Sequence, residues 1–408
     1  MKCRYCHSQL FEDLIDLKFS PPSNSYLISR DIDKEIYYPL RVMFCKKCYL
    51  FQTSSNIDNN IFFNNNYAYF SSYSSFYLSQ CEKLVNILIK KFNLNYNSLV
   101  IEVASNDGYL LNFFKKRKIK TIGIEPSLSV AKVAKEKGLK IINKFFNKKL
   151  SMQLRKQKYS ADIILAFNVL AHVPDIDDFL KGMPNLLNKD GCIIFEFPHV
   201  LNLIKLNQFD TIYHEHYSYL SISFLNKILI KYGLKIFDVE NIPSHGGSLR
   251  VYISKISSKK YKISDRVGSI LDKERVNKLN NKITFKKFQN NIFKIKLDLL
   301  KLLLKLKSHK KMVIGYGAAA KGNTLINYFG ISKDLLSYVV DKNKFKQGKF
   351  LPGSHIEIKD PKVIKTHKPD YIIILPWNLK KEILNELKYV KKWKCKFIVA
   401  IPKVTILK

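Results

Sequence analysis

Short apolar runs alternate with amphipathic stretches through most of this chain. Ser98-Leu-Val-Ile-Glu102 reads as a strand, the polar Val103-Ala-Ser-Asn-Asp-Gly108 as a tight loop, and Tyr109 to Phe114 as the start of a helix. Thr121-Ile-Gly-Ile-Glu125 reads as a second strand, closed by Pro126, and Ala161–Phe167 and Gly191–Phe197 continue the series. Unbroken apolar runs of this length suit parallel strands covered on both faces. The pattern therefore predicts an α/β fold with a doubly wound sheet. Beyond the turn-forming Ser244-His-Gly-Gly-Ser comes another strand, Leu249–Ile253. Residues 261–310 read as helices, with Phe288 to Leu306 apolar at helical spacing and lysines between. Met312 to Gly322 then gives a strand, a Gly-rich turn and a helix start, and Tyr338-Val-Val-Asp341 a strand ending in an acid. That is a second α/β unit.

The first unit has the layout of a nucleoside site. A loop after the first strand lets backbone approach a ligand, and a carboxylate at the end of the next strand, Glu125, can accept both ribose hydroxyls. The loop carries Ala104, Asn106 and Gly108 where a dinucleotide site would carry three glycines. With no pyrophosphate to cradle, fewer glycines are needed, and the acid Glu102 ahead of the loop is the pattern of S-adenosylmethionine sites. The next two strands end at Asn168-Val-Leu-Ala-His172 and Glu196-Phe-Pro-His199. Ligands of open sheets bind at these ends, so Asn168, His172 and His199 are expected at one crevice. Taken singly, each is equally a solvated or capping loop residue.

Cys3-x-x-Cys6 and Cys45-x-x-Cys48 supply the four thiolates of a closed tetrahedral zinc site. Between them Leu10 to Phe44 reads as a strand-rich insert. Cys3-Arg-Tyr-Cys6-His7 also fits a c-type haem attachment pattern, but that leaves the second pair unexplained. A four-thiolate site has no open position, so its zinc is structural. Cys81, Cys192 and Cys395 read as buried thiols.

Apolar residues make up 46% of the 408, a globular composition. No apolar run reaches about 18 residues, so no stable membrane insertion is expected. The N-terminus lacks the apolar core of a secretory signal, which makes the cytoplasm the expected location. The formal charge of +37 suggests a polyanionic partner. Its lysines are spread along the whole chain among many Asn and Ile, so a compositional bias explains it better than a nucleic-acid footprint. Nucleic acid is not expected as a partner.

Tyr213-His214-Glu215-His216 concentrates proton-handling groups in a chain with nine histidines. From the residues alone it is a general base, a metal site or a polar loop. These segments together resemble the sugar C-methyltransferases that act on nucleotide-linked ketosugars. The resemblance runs through the paired cysteines, Tyr67-Ala-Tyr-Phe-Ser-Ser72, Ser105-Asn-Asp-Gly108, Asn168 to Pro174 and Phe209 to Tyr217. It continues through Ser244 to Arg250, Gly315 to Gly322, Lys346-Gln-Gly, Leu351-Pro-Gly353 and Leu375-Pro-Trp-Asn378.

The resemblance implies a zinc-binding domain over 1–70, a class I methyltransferase domain over 71–255 and a Rossmann-like domain over 256–408. It implies S-adenosylmethionine as methyl donor, a nucleotide-linked 4-keto sugar as acceptor, methylation beside the ketone, and a monomer. It places the active site on Tyr67, Asn168, His172, Tyr213, Glu215 and His216. His216 is then the base, Glu215 orients or charges it, and Tyr213, Asn168 and His172 bind the enolate oxygen or the sugar. Cofactor contacts are expected from Glu102, Ala104, Ser105, Asn106, Gly108, Glu125, Pro126, Phe146 and Asn168. Substrate contacts are expected from His245, Arg250, Gly317, Lys321 and Trp377, with Lys321 near the diphosphate. Ala104 departs from the family, which usually has glycine there. O-methylation of a sugar and methylation of nucleic acid are the alternative activities.

Overall fold

In the computed structural model residues 2–9, 11–55, 57, 70–73 and 75–407 are described, with backbone only at 73, 75, 76 and 245. Three sheets follow one another along the chain. The first is antiparallel, in the order β1 (Phe11–Ser20), β2 (Tyr38–Cys45), β3 (Phe51–Thr53) and then β9 (Ser218–Tyr219), a strand from much later in the chain. β3 pairs β9 through Phe51 opposite Tyr219 and Gln52 opposite Ser218.

The second sheet has seven strands. β4 (Leu99–Val103), β5 (Lys120–Ile124), β6 (Ile141–Ile142), β7 (Ala161–Phe167) and β8 (Leu187–Pro198) are parallel. β10 (Leu234–Ile242) and β11 (Ser248–Lys255) close one edge antiparallel to each other, giving the order β10-β11-β8-β7-β4-β5-β6. The order reverses between β4 and β7, so a crevice opens at their carboxyl ends. This is the class I methyltransferase sheet. Its apolar runs are buried as the pattern requires: β7 keeps Ile163 to Ala166 fully out of solvent.

The third sheet runs β14 (Ile358–Lys359), β13 (Val339–Val340), β12 (Val313–Tyr316), β15 (Tyr371–Ile374), β16 (Lys396–Val399), β17 (Thr405–Leu407). All of its pairs are parallel except β16 with β17. It too reverses beside its first strand, at β12, as a Rossmann-like unit does.

The helical region before it resolves into Asp265–Val276 and Lys282–Ser308. The second buries Phe285, Phe288, Ile292, Ile295, Leu299, Leu303 and Leu306, a stripe at three- and four-residue spacing. Phe285 sits edge-on to Phe44 at 5.6 Å and to Phe51 at 5.7 Å. The stripe thus joins the first sheet to the third in one core that also takes in Leu14, Leu325 and Val339. A second core joins Cys3, Cys45 and Cys48 to Phe197 and Phe224 of the middle unit. The N-terminal sheet is cemented to both neighbours.

Candidate active site

The cysteine cluster follows from two knuckle turns. His7 donates its N–H to the Cys3 carbonyl and Tyr49 to that of Cys45, and each of these residues turns the chain at positive φ, +58° and +73°. The turns face each other, with Cys3 Sγ 3.6 Å from Cys48 Sγ and Cys6 Sγ 3.5 Å from Cys45 Sγ. All four sulfurs lie within 4.8 Å of one another. Tetrahedral zinc with Zn–S near 2.3 Å sets sulfurs about 3.8 Å apart, so the set fits that ion. His7 is part of a turn, which accounts for it without haem. The other three cysteines are buried, as expected.

At the carboxyl ends of the middle sheet lies a cleft of about 1170 Å³. Val103, Ala104, Asn106, Ile124, Glu125, Pro126, Phe146 and Asn168 form its floor. The loop after β4 needs three left-handed residues, Ala104 at φ +54°, Asn106 at +50° and Gly108 at +75°. Glu125 is fixed by two amides, accepting from Asn106 N at 2.9 Å and Ser127 N at 2.8 Å. Burial pushes its carboxyl up to about 7 against the pull of those bonds. Asn168, itself at φ +56°, has a buried Oδ1 with no partner among the described residues. A ribose-binding carboxylate, a loop backbone at close approach, apolar walls at Ile124 and Phe146 and an unpaired amide oxygen fit S-adenosylmethionine.

Glu102, Ser105 and Gly108 stand behind this floor rather than lining it. Glu102 is buried, which drives its carboxyl well above the usual range. Gly108 is required by packing, because a Cβ there would come within 2.1 Å of Leu139 Cδ1. Ala104 occupies a left-handed position that costs an L-residue about 1–2 kcal/mol. Ala104→Gly is therefore expected to raise unfolding stability by about 1 kcal/mol. Denaturant melts without ligand measure it, and an unchanged midpoint would show that the loop has no strain to release.

The Tyr213–His216 segment enters the cleft from the opposite wall, just ahead of β9. Its placement depends on the N-terminal sheet: Thr53 N and Arg4 Nη1 both donate to the Tyr217 carbonyl, at 3.0 and 2.9 Å. The segment itself is a turn, closed by His216 N donating to the Tyr213 carbonyl at 3.0 Å. His214 is buried away from the cleft, its Nε2 donating to the Tyr38 carbonyl at 3.3 Å, and burial lowers its pKa to about 4. Tyr213, Glu215 and His216 line the cleft.

The two cleft histidines have defined tautomers, since a carbonyl can only accept. His216 Nδ1 donates to the Thr211 carbonyl at 3.0 Å and His172 Nδ1 to the Glu215 carbonyl at 2.8 Å. Each neutral ring therefore has its lone pair on Nε2. Their centroids are 4.7 Å apart, and the Tyr213 ring packs on His216 at 4.1 Å, tilted by 34°. Burial lowers His172 to about 4, so it is neutral at physiological pH. Glu215 is aimed elsewhere than expected. Its Oε1 accepts from Asn24 Nδ2 at 2.6 Å, and a backbone carbonyl does the work of orienting His216. Burial raises Glu215 to about 7, with Lys346 pulling the other way.

Other expected positions are spent elsewhere. His199 makes a buried pair with Glu274, Nε2 to Oε1 2.7 Å, and does not reach the crevice. Arg250 is held by Glu196, Nη2 to Oε2 2.8 Å, on the sheet surface behind the cleft, because β11 pairs β8 with Arg250 opposite Glu196. Gly317 is fixed by packing: a Cβ there would meet Pro376 Cδ at 2.6 Å. Trp377 Nε1 donates to buried Asp210 at 2.7 Å. Lys321 does line the cleft, its Nζ donating to Asn378 Oδ1 at 2.9 Å and lying 4.6 Å above the Trp377 ring. Tyr67 lies outside the described residues, as does the side chain of His245. Phe70 and Ser71, just after Tyr67, do line the cleft, and Ser71 N donates to Asn106 Oδ1 at 3.0 Å.

Some cleft residues carried no readable local signal: Asn24, Ser25 and Tyr26, from the insert between β1 and β2. Thr211 and Lys346 belonged to recognised motifs, but nothing in those motifs announced a place on the cleft wall.

Comparison with known proteins agrees with this architecture. A zinc binding domain family matches residues 3–63, a methyltransferase domain family 73–239, and the family described as C-methyltransferase C-terminal domain 243–402. The chain is 30% identical to C-methyltransferase NovU of Streptomyces niveus over 407 residues, 100% of this chain and 96% of NovU. Among solved structures, magnesium protoporphyrin IX methyltransferase from Synechocystis PCC 6803 with bound SAM aligns at 15% identity and TM-score 0.37, over 50% of this chain and 100% of that one. A S-adenosylmethionine-dependent methyltransferase from Clostridium acetobutylicum ATCC 824 aligns at 14% identity and TM-score 0.35, over 44% and 92%.

Proposed function

We propose that this chain, which belongs to the C-methyltransferase family and uses S-adenosylmethionine, methylates a nucleotide-linked 4-keto sugar at the carbon beside the ketone. The observation that carries the reading is the meeting, in one cleft, of the donor floor around Glu125, the His216–Tyr213–His172 group and lysines of the C-terminal domain. A ketone acidifies the neighbouring C–H, and a base must still take the proton while the enolate oxygen is stabilised. His216 Nε2 takes that proton and becomes imidazolium, with Nδ1 held by the Thr211 carbonyl. Tyr213 and the Asn168 amide N–H are the candidate donors to the enolate oxygen, whereas His172, neutral and with its lone pair on Nε2, can only accept from a sugar hydroxyl. S-adenosylmethionine, held by the floor around Glu125, would supply the methyl group as a sulfonium to that carbon, the C–S electron pair leaving with S-adenosylhomocysteine. Holding both reactants in one enclosed space supplies much of the acceleration.

The nucleotide end faces Lys321, Lys346 and Lys349. Lys321 sits where β12 feeds its Gly-rich turn into helix Ala320–Phe329, and burial lowers its pKa while Asp210 opposes that. A diphosphate there would restore the full charge. Lys321→Ala is expected to weaken nucleoside diphosphate binding about 10-fold or more, the loss of a charge-assisted contact; unchanged affinity by titration calorimetry would remove Lys321 from the site. The activity itself is tested by incubating the enzyme with S-adenosylmethionine and a panel of nucleotide-linked 4-keto sugars. Mass and carbon connectivity of the product separate C- from O-methylation, and no turnover with any member would overturn the reading.

A further inference from the structure

Residues 23–27, in the insert of the N-terminal sheet, lie against the other two units. Leu27 and Phe350 exchange backbone bonds, Leu27 N donating to the Phe350 carbonyl at 3.1 Å and Phe350 N to the Leu27 carbonyl at 2.8 Å. Asn323 Nδ2 donates to the Ser23 carbonyl, and the Tyr26 hydroxyl to the Ala318 carbonyl. Thr324 ties in the middle unit: its hydroxyl donates to the Ile212 carbonyl at 2.9 Å and lies 3.4 Å from Ser23 Oγ. Ser23, Asn323 and Thr324 are each 1% exposed, so water does not compete for these bonds. The joint fixes residues 23–27 relative to Ile212, which directly precedes the Tyr213–His216 turn.

One side chain crosses from this segment to that turn. Asn24 Nδ2 donates to Glu215 Oε1 at 2.6 Å, and both residues line the cleft. A carboxylate only accepts, so the amide nitrogen is the atom that faces it. Asn24 Oδ1 lies 3.4 Å from the Tyr26 hydroxyl, which can donate to it. Glu215 is 6% exposed, and among the described residues Asn24 is the group that donates to its carboxylate. A glutamate side chain has three torsions to freeze. Holding one oxygen fixes the carboxylate plane, and with it the direction in which Oε2 can accept from a donor entering the cleft.

We propose that Asn24 is a positioning residue for Glu215: by holding Oε1 it aims Oε2 at a hydroxyl of the bound sugar. The zinc-binding unit thereby takes part in acceptor recognition, through a segment that the C-terminal domain keeps in place. The inference rests on the functional reading above for the identity of the donor that Oε2 meets, not for the bond between Asn24 and Glu215.

The test uses the full-length enzyme, Asn24→Ala, the isosteric Asn24→Asp, Glu215→Gln and the double variant Asn24→Ala/Glu215→Gln. Asn24→Ala should fold, since none of the bonds that hold residues 23–27 to the C-terminal domain uses its side chain. With a reactive ketosugar, kcat/KM is expected to fall about tenfold in Asn24→Ala, the loss of a hydrogen bond to a charged group. Asn24→Asp keeps the shape but cannot donate, and should lose at least as much. S-adenosylmethionine affinity, read by calorimetry, should hold in both. In the Glu215→Gln background Asn24→Ala should cost less than about twofold more, because the two residues act as one. Losses that multiply in the double variant, or an Asn24→Ala enzyme within about twofold of the parent, would overturn the proposal. Should no ketosugar react, the functional reading fails, and the infrared carboxylate bands of Glu215, isolated by subtracting the Glu215→Gln spectrum, still decide this one. They should shift in Asn24→Ala; unmoved bands would show that the bond is not made.

Discussion

Replacing His216 with alanine is expected to lower kcat by about 10²- to 10⁴-fold, the usual worth of a positioned general base, while S-adenosylmethionine binds as before. The two effects separate because His216 stands on the wall opposite the donor floor. Its ring is fixed by the Thr211 carbonyl and by packing against the tilted Tyr213 ring, so alanine removes Nε2 without disturbing Glu125 or its two amide bonds. Single-turnover assays with radiolabelled donor read the chemical step, and calorimetry reads donor affinity. Glutamine at 216 separates shape from basicity: it fills much of the space and has no basic nitrogen. Turnover of either variant within about tenfold of the parent would remove His216 as the base and turn attention to Tyr213 and Glu215.

Cys45→Ser is expected to have the largest effect on the protein as a whole. Breaking the thiolate set should cost the bound zinc and several kcal/mol of stability, since structural zinc contributes folding energy directly. The damage should not stop at the knuckles. Cys3, Cys45 and Cys48 share a core with Phe197 of the middle sheet and with Phe224. β3, next to the second knuckle, holds β9 and through it the segment carrying Tyr213, Glu215 and His216. Methyl transfer is therefore expected to fall together with metal content and melting temperature. Elemental analysis, thermal unfolding and assay of the same preparations check this. Full activity in a stable, zinc-free variant would refute the coupling.

The chemistry-bearing elements with local signals were legible in the sequence. The strand-loop-strand ending at Glu125, the paired cysteines and the Tyr213–His216 cluster each depend on neighbours in the chain, and the structure builds each of them. The misses share a cause. Arg250 and His199 carry the right chemistry at strand or helix ends, but partners distant in sequence, Glu196 and Glu274, engage them. Glu215 sits next to His216 in sequence yet bonds Asn24, because the two leave a turn, closed by His216 N donating to the Tyr213 carbonyl, toward different partners. Asn24, Tyr26 and Lys346 reach the cleft only once three domains are packed, and no spacing along the chain encodes that.

The pairing of β3 with β9, and the burial of Phe44 and Phe51 under Phe285, also order events in time. The four cysteines are made before the middle and C-terminal units and can capture zinc at once, but their sheet lacks its last strand until Ser218–Tyr219 is made and its apolar cover until helix Lys282–Ser308 follows. At ordinary synthesis speeds that interval is on the order of tens of seconds. During it the N-terminal segment presents unpaired strand edges and bare aromatic rings. The metal knuckle is then what keeps the nascent segment compact while it waits for the sequence that will complete it.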